Sequence, residues 1–403
     1  MTATTRLTRR ARVLLAQVTL VVAGCVVAIP AIDLVRSALF VSRIAGLGGP
    51  VGRVAAVTRD VVSTRELTVP SRHGPVRTRL FAPAHGGART LVLTAGINAL
   101  GIDEPRLVQM ATEIAASGFP VLTPELPDLG DYRITTRLPD LVEDVALWAA
   151  SDRSLAPDRK VALVGVSFSG GLSIVAAGRP ALRDRVVFTL SFGGHGDLAR
   201  TLTYLCTGTH PGNPRHPPHD YGVVIILMNV AEDVVPDEQV EALRDAVRTF
   251  LGASHLAMFD TSRSEEAFAR ARAAEAALPE PARTVMHYVN TRDVAALGAR
   301  LAPSAERFPA SPALSPERMP APPTPVYLLH GESDSVIPAA ETLMLARSLR
   351  ARGTPVEALL TRLITHAEVS PDVTVGETLA VVRFWAGMLG RWPHAAAPRP
   401  LAE

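Results

Sequence analysis

Cysteine is nearly absent from this chain. Two residues, Cys25 and Cys206, cannot build a disulfide framework, and nothing near Cys206 has the spacing of a zinc site. Neither charge is in surplus: 41 Lys and Arg stand against 39 Asp and Glu, a net of +2. Aromatic residues make up only 5% of the chain and no basic run interleaves with them. These lacks leave no electrostatic footprint for nucleic acid, and none is expected as a partner. No internal repeat is present. What the chain does have is apolar residues, 47% of 403, enough for one large α/β domain with an insertion and an anchor.

The anchor is read from the N-terminus. A basic segment, residues 1–12, carries Arg6, Arg9, Arg10 and Arg12, and an uncharged apolar run occupies residues 13–32. At ~1.5 Å per residue such a helix spans a bilayer core of ~30 Å, so 13–32 is expected to be a transmembrane anchor. The arginines before it outnumber Arg36 and Arg43 after it, which puts the N-terminus in the cytoplasm and the main domain on the non-cytoplasmic side. Three rivals remain. A cleaved signal peptide lacks a clear A-x-A site here. Val22-Ala23-Gly24-Cys25 resembles a bacterial lipoprotein box, which would lipidate Cys25, although the residues beyond it stay apolar. The run also fits a buried core helix. Residues 33–64 read as a linker or membrane-surface segment, and 393–403, rich in Pro and Ala, as a disordered tail.

Chemistry is concentrated in three places. Ser167 lies in KVALVGVSFSGG, an apolar strand-like run that breaks at a Gly-x-Ser turn before a helical stretch. Asp334 lies in VYLLHGESDSVIP and His366 in LITHAEVSP, each just past an apolar run. A serine hydroxyl needs an adjacent imidazole to take its proton, and the imidazole needs a carboxylate to hold its tautomer. A strand-to-helix elbow exposes the serine oxygen and presents the next backbone N–H, here that of Phe168, to an oxyanion. Taken singly, Asp334 also fits a turn aspartate and His366 an ordinary loop histidine. Ser, Asp and His in that order and those settings favour a triad. An alternative frame makes Ser169 the nucleophile, but the apolar strand ends directly before Ser167. His330 reads as a strand end, and His195 as a residue lining the site mouth.

In these motifs the chain resembles the α/β-hydrolase superfamily over roughly residues 66–390. LVGVSFSGG looks like the family's nucleophile elbow, HGESDSVIP like its acid loop and ITHAE like its histidine loop. One departure is Ser169, where the family pattern has glycine; the position must be small, and serine is small. The resemblance implies a second oxyanion donor in TLVLTAGINALG, assigned to the Ile97 N–H because Ala95-Gly96-Ile97 sits where such chains often carry His-Gly-x. It also implies a hydrolase domain at 65–392 with a cap-like insertion at 195–323. The implied activity is that of a serine hydrolase, an esterase or lipase type acting on small-molecule or lipid esters, with no metal or organic cofactor. Acyl transfer and thioester cleavage occur on similar scaffolds, and the Ser169 departure leaves open a non-catalytic, membrane-tethered binding module.

The alternation of elements supports that architecture. Strands are expected at 65–71 and 76–83, an antiparallel edge pair, and at 91–95, 120–125, 161–166, 185–194, 326–331 and 356–364, alternating with helical stretches, a pattern that predicts a mostly parallel sheet with helices on both faces. Within the insertion, 222–253 reads as helical, divided by Pro236 and ended by Gly252; 264–279 is a second helix, and the prolines from Pro303 onward mark an irregular return. Met228, Phe250, Met258 and Phe259 fit either an acyl pocket or ordinary core.

Overall fold

The short apolar runs become the strands of one sheet: β1 (Val62–Val69), β2 (Val76–Pro83), β3 (Thr90–Thr94), β4 (Val121–Pro124), β5 (Val161–Val166), β6 (Val186–Phe192), β7 (Val326–Gly331) and β8 (Val356–Thr361). Their order is β1-β2-β4-β3-β5-β6-β7-β8. β2 alone runs against the rest, pairing antiparallel with β1 and β4, while all other neighbours are parallel. The computed structural model describes residues 32–44, 49–85, 87, 89–211, 217–307, 312–364 and 374–390. β3, β4 and β7 are buried along their whole length. Strands covered on both faces read as continuous apolar runs rather than alternating ones. β1, at the edge, is mostly exposed and carries Arg65 and Glu66, charges that discourage a further strand from pairing.

Side chains alternate between two apolar layers. Val161 and Leu163 of β5 enter one, with the helices Leu138–Ser151 and Phe168–Ala177; Ala162 and Val164 enter the other, with helix 32–44, Pro105–Ala115 and Val375–Leu389. The helix Ala339–Ala351 packs on Val326 and Leu328 through Leu345 and Leu349. The stretch 33–64 holds all but the first residue of helix 32–44, the helix Gly49–Val57 and the start of β1. Helix 32–44 lies against the domain: Phe40 and Val41 are buried, and the Phe40 ring is 4.6 Å from that of Trp385. Arg43, counted above among the charges flanking the apolar run, pairs with Glu113 at 3.0 Å. No helix among the described residues is long and apolar enough to cross a membrane; residues 13–31 lie outside the described residues, as does the tail 393–403.

Between β6 and β7 the described residues form six α-helices: Leu198–Thr207, Asp220–Val230, Asp237–Leu256, Thr261–Ala277, Ala282–Asn290 and Val294–Arg307. Two expectations are corrected here. Gly252 does not end its helix, which continues to Leu256 because Ala253 and His255 are buried beyond it, outweighing the ~1 kcal/mol that glycine costs. Pro303 lies inside the helix Val294–Arg307 rather than in an irregular return. Leu297, Leu301 and Ala305 are buried on that helix, and about 1.5–3 kcal/mol per buried leucine offsets the ~3 kcal/mol of an internal proline.

One carboxylate ties this insertion to the sheet's own helices. Glu341 in Ala339–Ala351 accepts hydrogen bonds from the Gly196 and Asp197 N–H groups (2.8 and 3.0 Å) and from Arg200 Nε (2.5 Å). The ring nitrogen Nε2 of His210 lies 2.7 Å from the same carboxylate.

Candidate active site

Ser167 stands where β5 ends and the helix Phe168–Ala177 begins, with φ 55° and ψ −132°. Positive φ is uncommon for a residue with a Cβ, and here it is enforced from both sides. The Ser167 N–H donates to Phe192 O on β6 (2.7 Å), and the Ser167 carbonyl accepts from the Gly170 N–H (2.8 Å). The turn is also tight enough to require glycine at 165, where a Cβ would meet the Ser169 carbonyl oxygen at 2.1 Å. Ser169 itself is buried and donates its hydroxyl to Ala95 O at 2.5 Å. The alternative frame therefore puts its nucleophile inside the protein, bonded to the backbone.

Asp334 is buried three residues past the end of β7. Its Oδ1 accepts from the Val336 and Ile337 N–H groups at 2.8 and 2.9 Å, which fixes the carboxylate plane. Its Oδ2 lies 3.3 Å from His330 Nε2. That histidine is fully buried at the end of β7, with Nε2 2.8 Å from Ile337 O and Nδ1 2.6 Å from Thr342 Oγ1. A carbonyl only accepts, so Nε2 carries the proton. His195 does not line a mouth: it is wholly buried, stacks on Phe168 at 4.8 Å, and reaches Leu314 O at 2.8 Å. Burial pushes its pKa below the usual histidine value. His366 lies outside the described residues.

Ser167, Gly96, Ile97 and Phe168 line one cavity of about 780 Å³. So do Ser333 and Ser335, which flank Asp334, and Leu363 and Ile364, the last described residues before His366. The C-terminal ends of β3, β5, β7 and β8 thus bring the serine, the expected oxyanion loop and the neighbours of the other two residues to one place. Gly96 packs on the serine: a Cβ there would be 3.1 Å from Ser167 Cβ. Phe168 is the first residue of its helix, so its N–H has no acceptor within the helix.

Sequence reading missed Tyr221. It sits in the first turn of Asp220–Val230 and donates its hydroxyl to Ile97 O at 2.9 Å. Burial, together with nearby Tyr132, raises its pKa well above the usual tyrosine value, so the phenol stays a donor. No local signal marks this contact across 124 positions. Of the four apolar candidates, Met228 and Phe250 are buried core, Met258 reaches the cavity, and Phe259 is half-exposed. Cys206 is buried, and burial pushes its thiol up to about 12, which removes it as a nucleophile. Among the described residues no group of His, Cys, Asp and Glu is placed to hold a metal ion.

Fold and site together define an α/β protein with an eight-stranded, mostly parallel sheet and a serine elbow above it. No family model and no curated protein matches the chain. Among solved structures it is similar to an esterase of Pyrobaculum calidifontis (17% identity, TM-score 0.44, 89% of this chain and 90% of that one). It is also similar to an acylaminoacyl peptidase of Pyrococcus horikoshii (12%, 0.46, 85% and 44%). A third is an esterase of Pyrococcus furiosus (12%, 0.43, 82% and 91%).

Proposed function

We propose that this chain is a serine hydrolase that cleaves carboxylic esters through an acyl-enzyme. The observation that supports this most is Ser167: a non-glycine residue held at positive φ between a strand and a helix, lining a large cavity. Strain of this kind costs of order 1–3 kcal/mol and persists where surrounding structure enforces it, often at active sites. In the proposed reaction Ser167 Oγ attacks the ester carbonyl while His366 takes its proton, and Asp334 orients the imidazole. The amides of Ile97 and Phe168 hold the oxyanion. The imidazolium then protonates the departing alcohol, leaving an acyl-serine. Water, deprotonated by the same histidine, attacks that ester and releases the acid.

A fluorophosphonate probe tests the reading without knowledge of the substrate. The expected adduct is on Ser167, located by peptide mass spectrometry, and Ser167→Ala is expected to lower turnover by about 10⁶-fold. An adduct on Ser169 would move the nucleophile, and no adduct on folded protein would leave a binding module. Because the base must be neutral, activity is expected to fall below about pH 6.5, the ordinary histidine value; a flat profile from pH 5 to 8 would remove His366 from the mechanism. Acyl transfer and thioester cleavage share the same intermediate, and product analysis with added alcohol separates them. We also propose that residues 13–32 anchor the chain in a membrane with the hydrolase domain on the non-cytoplasmic side. Loss of membrane association on Leu20→Arg with Val21→Arg is the expected outcome.

A further inference from the structure

We propose that helix 32–44 is the wall along which the hydrocarbon chain of the substrate lies, which makes the substrate class esters with a medium or long aliphatic chain. The chemistry in this inference rests on the serine-hydrolase reading; the chain-binding site does not. Phe40, Val41 and Ile44 line the same cavity as Ser167, although the helix that carries them lies outside the strand–helix alternation of the sheet. Facing them are Leu107 and Met110 from Pro105–Ala115, and Val381 and Trp385 from Val375–Leu389. None of these seven side chains carries a charge.

Charged and titratable lining residues gather elsewhere. His219, His255 and Arg292 belong to the insertion, and Glu104 is bonded to Arg106 at 2.6 Å. Arg106 in turn leans on the insertion, its guanidinium 5.6 Å from the Phe259 ring. Under the insertion these charged groups stand among apolar side chains such as Leu202, Ile225 and Ile226, whereas the part of the cavity on helix 32–44 is lined without charge, with Ser167 opening onto the same space. An ester with one polar and one aliphatic end matches that division.

The wall is also fixed in place. Besides the Phe40–Trp385 contact, Arg43 reaches Glu113 (3.0 Å), Ser117 Oγ (2.5 Å) and Ala55 O (3.3 Å). A rigid apolar wall around an open cavity reads chain length, because each methylene that fits gains about 0.8 kcal/mol and each that clashes is excluded.

The test uses the full chain with two variants. Ile44→Trp fills the arm at a half-buried position, and Phe40→Ala enlarges it. Catalysis is followed as the ratio of kcat/KM for p-nitrophenyl decanoate over acetate, and binding by the fluorescence of a polyene fatty acid. Ile44→Trp is expected to lower the ratio at least about tenfold and to weaken fatty-acid binding. Phe40→Ala is expected to shift the preference toward longer chains. An unchanged ratio and unchanged fatty-acid affinity in both folded variants would overturn the proposal while leaving an active esterase intact. Fatty-acid binding that depends on Ile44, in a chain that neither hydrolyses esters nor takes the fluorophosphonate, would uphold the chain site and sink the serine-hydrolase reading instead.

Discussion

At the scale of single residues the elbow stores strain that can be measured. Ser167 holds φ 55° and ψ −132°, a conformation open to glycine and costly for any residue with a Cβ. Ser167→Gly and Ser167→Ala both remove the proposed nucleophile, so on that reading turnover should fall by about 10⁶-fold in each. The glycine variant should nevertheless be more stable than the alanine variant by about 1 kcal/mol, read as a higher urea midpoint at equal slope. Equal midpoints would mean that the elbow is unstrained. Tyr221 stands one step further out, since its hydroxyl bonds the carbonyl of Ile97, whose amide is proposed to hold the oxyanion. Tyr221→Phe keeps the ring and deletes that bond, together with the hydroxyl's interaction with Tyr132. It should lower kcat by roughly tenfold, less than the ~10²–10³ of deleting an oxyanion donor, with KM nearly unchanged. A rise in KM at constant kcat would make Tyr221 a pocket wall and not a positioning residue.

At the scale of elements, helix 32–44 depends on a buried ion pair. Burial pulls the Arg43 pKa below the usual arginine value while the Glu113 carboxylate opposes the fall. Arg59 also reaches Glu113 at 3.0 Å, but its side chain is 45% exposed, so it shields that carboxylate only in part. Arg43→Ala should therefore destabilise the fold by about 3 kcal/mol, whereas Arg43→Met with Glu113→Leu should be close to neutral. A double-mutant cycle by chemical denaturation checks this; additive losses would show that the pair is not coupled. These contacts also mark where the sequence stopped being legible. β3, β5 and β7 were readable because a strand covered on both faces is a continuous apolar run, and the elbow because strand, turn and helix follow one another locally. The helices Ala282–Asn290 and Val294–Arg307 were not, since packing rather than propensity carries them: Gly298 lies so close to the helix Leu198–Thr207 that a Cβ would meet Cys206 O at 2.1 Å. Phe40 against Trp385 and Tyr221 against Ile97 join residues far apart in sequence, and neither end carries a local mark of the other.

At the scale of the whole molecule, the insertion must keep its place above a sheet it meets through few chain crossings, and Glu341 is where the two are joined. Its carboxylate is fully buried and would be raised by desolvation alone. The hydrogen bonds from His210 and Arg200, the Arg200 charge and the Asp197 N–H outweigh that and hold it at about 2. Arg200 is itself shared with Glu317 at 2.7 Å, and Asp197 is paired with Arg318 at 2.5 Å, so the network reaches from the exit of β6 to the return before β7. The sign of the linkage follows from the direction of the shift. A carboxyl whose folded value lies below its ordinary 4.5 contributes stability that is fully present above about pH 4.5 and is lost as pH falls toward 2. A shift of that size is on the order of 3 kcal/mol, each unit being about 1.4. Glu341→Gln keeps the shape and removes the charge. It should cost stability by about that amount from pH 7 down to about 5, and the gap from the parent should narrow steadily between about pH 4.5 and 2, by urea denaturation at each pH. A gap that stayed constant down to pH 3 would mean that the shape of residue 341, and not its charge, seats the insertion over the site.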